Sequence, residues 1–141
     1  MTLPPTLKAA MTPFPYSVPP EASLDEATEV MREHEVRHLP VVEDHRIVGI
    51  VTRHDIEAAR SLGRKSKRLR VEDCRESDVY VVDLNEPIDS VLLTMAERRI
   101  DSAIVTRQGR LAGVFTAVDA CHSFGEYLSQ KFPHGEGDDG A

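Results

Sequence analysis

One supersecondary unit is written twice in this chain. Residues 49–55 read Gly-Ile-Val-Thr-Arg-His-Asp, and residues 113–119 read Gly-Val-Phe-Thr-Ala-Val-Asp. The separation of 64 residues between Gly49 and Gly113 is kept without a gap along both halves. It pairs Tyr16 with Tyr80, Val18 with Val82, Asp25 with Asp89, Met31 with Met95, Val41 with Val105 and Arg46 with Arg110. Similar residues fill the intervals, as in Leu24/Ile88, Val36/Ile100, Ile47/Leu111 and Ile50/Val114. A repeat of this period means two copies of one small unit, each too short to bury its own apolar face, stacked to share a core.

The hydrophobic periodicity predicts the unit itself. Tyr16-Ser17-Val18 is a short β-prone run stopped by Pro19-Pro20. Ser23-Leu24-Asp25-Glu26 has the form of a capping box, and Leu24, Ala27, Val30 and Met31 then mark one helical stripe ending near Glu35. Leu39–Val42 and Ile47–Val51 form a predicted hairpin across Glu43-Asp44-His45-Arg46, followed by a helix from Arg53 that stops near Gly63. The second copy repeats the order. Val79–Val82 is its strand, Pro87 opens its helix at the first helical position, and Ala103–Val105 and Leu111–Phe115 form a hairpin around Gln108-Gly109. A last helix runs from about Ala117 to Leu128. Each half is therefore β-α-β-β-α. Residues 1–13, rich in Pro and Thr, are expected to lie over the surface. The divisions expected are 1–64, 65–130 and a Gly- and Asp-rich tail over 131–141 that is too polar to pack.

Composition narrows the function. A formal net charge of −7 argues against nucleic acid as the main partner, because phosphate recognition needs a positive footprint. One stretch from Arg60 to Arg70 is basic, with Arg64, Lys65, Lys67 and Arg68 between; it reads as a solvated linker or as an anion-binding strip. No apolar run approaches the ~20 residues needed to cross a bilayer, and the start lacks the basic and apolar regions of a signal peptide. Two cysteines, Cys74 and Cys121, make no disulfide framework, so a reducing, cytoplasmic setting and idle thiols are expected.

The residues that carry chemistry are Gly-x-x-Thr-x-x-Asp, once in each half, at the join of the last strand and last helix. Gly49 and Gly113 permit close approach of a backbone or ligand. Thr52 and Thr116 fall at the helix N-cap, where a hydroxyl and free amides favour an anion. Asp55 and Asp119 follow in the first turn, where a carboxylate can accept two hydrogen bonds from a vicinal diol, as an acidic residue does for ribose in dinucleotide folds. A diol acceptor beside a phosphate-friendly helix start suggests a nucleotide. The same residues also serve as a plain cap and a complement to the helix dipole, and the two readings stand side by side.

With Ala10-Met11-Thr12, Leu24-Asp25-Glu26-Ala27, Met31, Leu39-Pro40-Val41-Val42 and the two Gly-x-x-Thr-x-x-Asp motifs in place, the chain resembles a tandem pair of cystathionine β-synthase (CBS) domains, also called a Bateman module. The second half contributes Ile88, Met95, Ile100 and Ala103-Ile104-Val105, so the resemblance runs from about Leu7 to Leu128. It implies an α/β fold of two β-α-β-β-α repeats packed as an intramolecular pseudo-twofold pair, with two clefts that take AMP, ADP, ATP or S-adenosylmethionine. It further implies that Asp55 and Asp119 hold ribose hydroxyls and that Thr52 and Thr116 face phosphates. Adenine would be enclosed by backbone near Leu39-Pro40 and Ala103-Ile104, with Val18, Val36, Val82 and Ile100. Arg53 and His54 could reach a phosphate in the first half, where the second has Ala117 and Val118, so the Asp55 site is the one expected to favour polyphosphate. Such modules form disc-like homodimers and act on a regulated partner as sensors rather than catalysts. The alternative is an interaction module of the same fold without a physiological small ligand.

His34-Glu35-Val36-Arg37-His38 matches the zinc-protease pattern H-E-x-x-H, which needs both histidines one turn apart on a continuous helix. Pro40 and the β-branched pair Val41-Val42 follow at once, so His38 is expected to lie beyond the helix end. The corresponding Arg98-Arg99-Ile100-Asp101-Ser102 carries no such pattern. No metal site and no catalytic constellation is predicted. Of His45, His54, His122 and His134, only His54 is expected near a cleft.

Overall fold

The structure, a computed structural model, describes residues 5–13 and 16–135, without the side chain of Ser66. Its elements follow the repeat. The first copy comprises α1 (Leu7–Ala10), β1 (Thr12–Pro13), α2 (Leu24–His34), β2 (His38–Glu43), β3 (Arg46–Thr52) and α3 (Arg53–Arg60). A 3-10 helix over Gly63–Arg68 leads to α4 (Val71–Cys74), β4 (Val81–Asp83), α5 (Ile88–Arg98), β5 (Ser102–Arg107), β6 (Arg110–Thr116) and α6 (Ala117–Lys131).

The local chemistry explains the matched geometry. Both hairpins turn on two residues of positive φ, Asp44 and His45 in one and Gln108 and Gly109 in the other, the backbone that matches strand twist in a two-residue loop. Both carry a register shift at the same repeat position, Val41/Val42 and Val105/Thr106. Helices α2 and α5 each end on a left-handed residue, Glu35 and Arg99, after which the amides of Val36 and Ile100 close onto Met31 O and Met95 O. Glu35 and Arg99 thereby turn the chain so that Val36 and Ile100 lead into β2 and β5.

Several expectations shift in detail. Ser23 Oγ accepts from the Glu26 amide as a cap should, but the return bond from Glu26 is not among those formed by the described residues. Pro87 is the N-cap of α5 rather than its first helical residue. The strand predicted over Val79–Val82 covers Val81–Asp83, and Tyr16-Ser17-Val18 supplies a single bridge, Val18 to Val41. The last helix continues three residues beyond Leu128, to Lys131. Residues 136–141 of the predicted tail lie outside the described residues.

The larger correction concerns the N-terminal segment. Residues 5–13 are not a surface strap, because Leu7 is 1% exposed and packs with Val82, Val91, Met95, Val105 and Phe115 of the second copy. Strand β1 then lies antiparallel on β6, with Thr12 opposite Val114 and Pro13 opposite Gly113. The second copy returns the arrangement at the same offset. Val71, the counterpart of Leu7, is fully buried among Leu24, Ala27, Met31, Leu39 and Val51 of the first copy. Glu76, the counterpart of Thr12, exchanges two backbone hydrogen bonds with Ile50. The two copies have swapped their leading segments.

The sheet of the second copy therefore runs β1-β6-β5-β4, and the β2–β3 hairpin of the first is extended on one side by Glu76 and on the other by Val18. Val114 of β6 joins the core of the first copy, so a residue of the second copy packs in the first. Truncation of Leu7 to Ala should cost about 2–5 kcal/mol, the range for a fully buried leucine, despite its place in a four-residue helix near the chain start. Urea unfolding of Leu7→Ala against wild type measures it; a loss under ~0.5 kcal/mol would mean that the lead does not seat on the second core.

Candidate functional site

The exchanged leads build two clefts between the copies. In each, one wall comes from the strand-to-helix join of one copy, and the other from the helix end and lead of the second. The larger cleft, about 1040 Å³, is bounded by Thr52, Arg53, His54 and Asp55 on one side and by Glu76, Asp78, Tyr80, Arg99, Ile100 and Ile104 on the other. The smaller, about 460 Å³, is bounded by Thr116, Ala117 and Val118 facing Thr12, Glu35 and Val36. Arg37, His38, Asp101, Ala117 and Val118 border both clefts, so these share a wall. His38 Nε2 lies 3.7 Å from Asp101 Oδ2 along it.

The Thr and Asp of each motif form reciprocal capping boxes. Thr52 Oγ1 accepts from the Asp55 amide at 3.1 Å, and Asp55 Oδ2 accepts from the Thr52 amide at 2.9 Å. Thr116 and Asp119 repeat this at 3.2 and 2.9 Å. Each carboxylate is thus held rigidly at a helix start by its own cap, with one oxygen committed and further lone pairs left for another donor. The cap reading and the site reading describe the same atoms.

Gly49 serves the fold directly. A Cβ there would stand 2.6 Å from Glu76 O and 2.7 Å from Arg75 Cδ, so its missing side chain admits the lead of the second copy rather than a ligand. Gly113 lies opposite Pro13 in the pairing of β1 with β6. Arg75 follows the lead inward and donates from Nη1 to Val48 O at 2.7 Å.

The residues proposed for adenine divide. Ile100 and Ile104 border the Asp55 cleft and Val36 the smaller one. Val18, Leu39, Pro40, Val82 and Ala103 are buried, and none of them borders either cleft. The Pro40 carbonyl accepts the Val18 amide and the Tyr80 carbonyl accepts the Ile104 amide, which commits that backbone to the sheets. Arg53 and His54 do reach the larger cleft, with Arg53 Nε 3.1 Å from Glu57 Oε1. Sequence reasoning missed Thr12, Glu76, Asp78 and Tyr80. The offset pairs Thr12 with Glu76 and Tyr16 with Tyr80, a signal for equivalent places; which cleft each enters depends on the swap.

The basic stretch from Arg60 to Arg70 borders neither central cleft. Arg60 is occupied with Asp25 and Thr28, and the run from Gly63 is an exposed 3-10 linker. His34 ends α2 and stacks on Tyr16 at 4.2 Å between ring centroids, whereas His38 belongs to β2 after the left-handed turn at Glu35. The two histidines therefore do not share the helical face that H-E-x-x-H chemistry requires.

This architecture defines a class: a two-repeat α/β module with paired inter-repeat clefts, the larger bordered by the capped carboxylate of Asp55 and the smaller by Thr12, which bonds the capped carboxylate of Asp119. The family model for the CBS domain matches residues 7–61 and 71–126, and the chain belongs to that family as a tandem CBS pair. CBS pairs are a regulatory class of module. Among curated proteins, the L-aspartate semialdehyde sulfurtransferase of Methanocaldococcus jannaschii is 30% identical over 121 residues, covering 84% of this chain and 23% of that protein. The inosine-5'-monophosphate dehydrogenase of Thermoplasma acidophilum is 32% identical over 119 residues, 84% of this chain and 22% of that protein. The chain thus spans less than a quarter of the length of these relatives. The solved CBS domain pair of protein MJ0100, in complex with 5'-methylthioadenosine and S-adenosyl-L-methionine, superposes with a TM-score of 0.76 at 28% identity, over 89% of this chain and 99% of that one. No helix of the described residues is long and apolar enough to cross a membrane.

Cys74 sits in α4, close enough to the larger cleft to feel its carboxylate. Burial pushes its thiol pKa up, and the negative charges of Asp55 and Asp73 push it further. Cys121 is exposed on α6. Iodoacetamide at pH 8 should therefore label Cys121 well before Cys74, as followed by peptide mass spectrometry, because the thiolate is the reactive form. Equal rates would contradict the placement of Cys74.

Proposed function

We infer that the chain is a sensor module that binds an adenosine-type ligand (AMP, ADP, ATP or S-adenosylmethionine) in the inter-repeat clefts and passes the occupancy to a regulated partner protein, without catalysing a reaction. The observation that carries this reading is the duplicated, preorganised carboxylate. Asp55 and Asp119 are each fixed by a capping box, Asp55 at the edge of the larger cleft and Asp119 behind Thr12 of the smaller one, with acceptor capacity left for a ribose diol. Ile100 offers an apolar side chain to a base in the Asp55 cleft, and Arg53 and His54 line the same cleft for an anionic group. The adenosine compounds held by the related CBS pair of protein MJ0100 support the ligand class. Regulation then requires that the ligand favour one arrangement of the two repeats over another.

The rival reading, an interaction module of the same fold with no small ligand, draws on one observation: both carboxylates already serve as caps, and Asp119 also accepts a hydroxyl from Thr12. Thermal unfolding separates the two. A ligand at a hundred times its dissociation constant should add about 2.7 kcal/mol of stability, several degrees in Tm. With AMP, ADP, ATP and S-adenosylmethionine tested in turn, at least one should produce that shift. The shift, referred to each protein's own ligand-free Tm, should vanish in Asp55→Ala/Asp119→Ala. Folded wild-type protein that shifts with none of them would favour the interaction module.

A homodimer in the cytoplasm is part of the same proposal. Helix α6 contains no buried residue in the isolated chain and exposes Phe124 and Leu128 one turn apart, with Val118 a further stretch along and Phe132 just beyond its end. An apolar run of this size is characteristic of an interface. Light scattering should give twice the 15.7 kDa chain mass, and Phe124→Glu should return it toward one chain. A monomeric wild type would remove the dimer from the proposal.

A further inference from the structure

The swap of leading segments brings a different residue to each cleft. At Asp119 stands Thr12, whose hydroxyl donates across both carboxylate oxygens, 3.1 Å from Oδ1 and 3.3 Å from Oδ2. Oδ2 is also the acceptor of the Thr116 amide. The Thr12 proton therefore lies along the edge of the carboxylate where a vicinal diol would offer its two hydroxyls, one to each oxygen. At Asp55 the equivalent lead position is Glu76, which pairs with Ile50 as Thr12 pairs with Val114. An ionised glutamate has no proton to give. Among the described residues, the only donor recorded on the Asp55 side chain is the Thr52 amide.

We propose that the Thr12 hydroxyl is an internal competitor for ligand at the smaller cleft, holding in the empty protein the carboxylate that a ribose diol would take, so that the two clefts fill in order, Asp55 first. The proposal rests on the adenosine-type reading of the clefts. It gives their inequality a cause that lies outside both Gly-x-x-Thr-x-x-Asp motifs. A ligand entering at Asp55 adds hydrogen bonds to free lone pairs. A ligand entering at Asp119 must exchange one charge-assisted bond for another, so the gain in that cleft is smaller by the bond given up. Displacement leaves Thr12 in its strand, since Leu7 and the pairing of β1 with β6 hold the lead independently. What changes is the affinity of one cleft relative to the other.

Calorimetric titration with AMP and with S-adenosylmethionine tests this on the full chain. The Asp55→Ala background isolates the smaller cleft, and circular dichroism checks that each variant is folded. Adding Thr12→Val, which removes the hydroxyl and keeps the branched shape, should tighten binding roughly tenfold, the order expected when one hydrogen bond to a charged group no longer has to be broken. Thr12→Ser, which keeps the donor, should bind as the parent does. The gain should disappear when Asp119→Ala is added. Weaker binding in Thr12→Val would make Thr12 a ligand contact and overturn the proposal. Unchanged binding would overturn it too, while leaving the nucleoside reading in place. Absence of binding by wild type and every variant would instead sink that reading, and the competitor with it.

Discussion

The exchange of leading segments is the interaction on which the rest of the structure depends. Each copy leaves its own core open at one place and fills the same place in its neighbour, Leu7 entering the second copy and Val71 the first. A unit of roughly 60 residues buries too little of its surface to be comfortably stable alone. Here each unit is completed by an apolar side chain and a strand edge from the other, and Val114 of the second copy packs in the core of the first. Separation of the repeats would expose two buried aliphatic side chains and unpair two sheet edges together. The copies therefore move, if they move, as bodies that keep hold of each other.

The clefts are a by-product of that hold. Because the leads cross, each carboxylate is viewed from the opposite copy by a residue that its own motif does not contain. At Asp55 this neighbour is acidic, with Asp78 and Asp101 nearby and Arg37, Arg53 and Arg99 around the rim; at Asp119 it is a hydroxyl. The strand-to-helix join supplies rigidity, and the visiting lead sets the polarity. A wall shared through Arg37, His38 and Asp101 puts the two clefts within one side chain of each other.

Much of this was legible in the residues. The constant offset located both hairpins, all the long helices and the two caps, because periodicity and turn chemistry act locally. The positive φ of Asp44 and His45 was not, since neither is glycine and only the paired strands demand it. The same holds for Glu35 and Arg99, whose left-handed turns deliver Val36 and Ile100 to the clefts. The resemblance gave adenine the backbone near Leu39-Pro40 and Ala103-Ile104 and side chains such as Val18 and Val82; the side chains of Val18, Leu39, Pro40, Val82, Ala103 and Ile104 are buried as core. Least legible was the swap. A repeat says which positions are equivalent, but equivalence is silent on whether position 12 completes its own copy or the other one.

A duplicated gene is usually free to let one copy drift while the other keeps the original role. Crossing the leads removes part of that freedom here. The hydroxyl that bonds Asp119 is encoded in the first repeat, and the lead residue Glu76 that borders the Asp55 cleft in the second, so a change in either lead is felt in the opposite cleft. The two repeats are separate in sequence and joint in inheritance: the unit on which selection for one binding cleft can act is a mosaic of both halves.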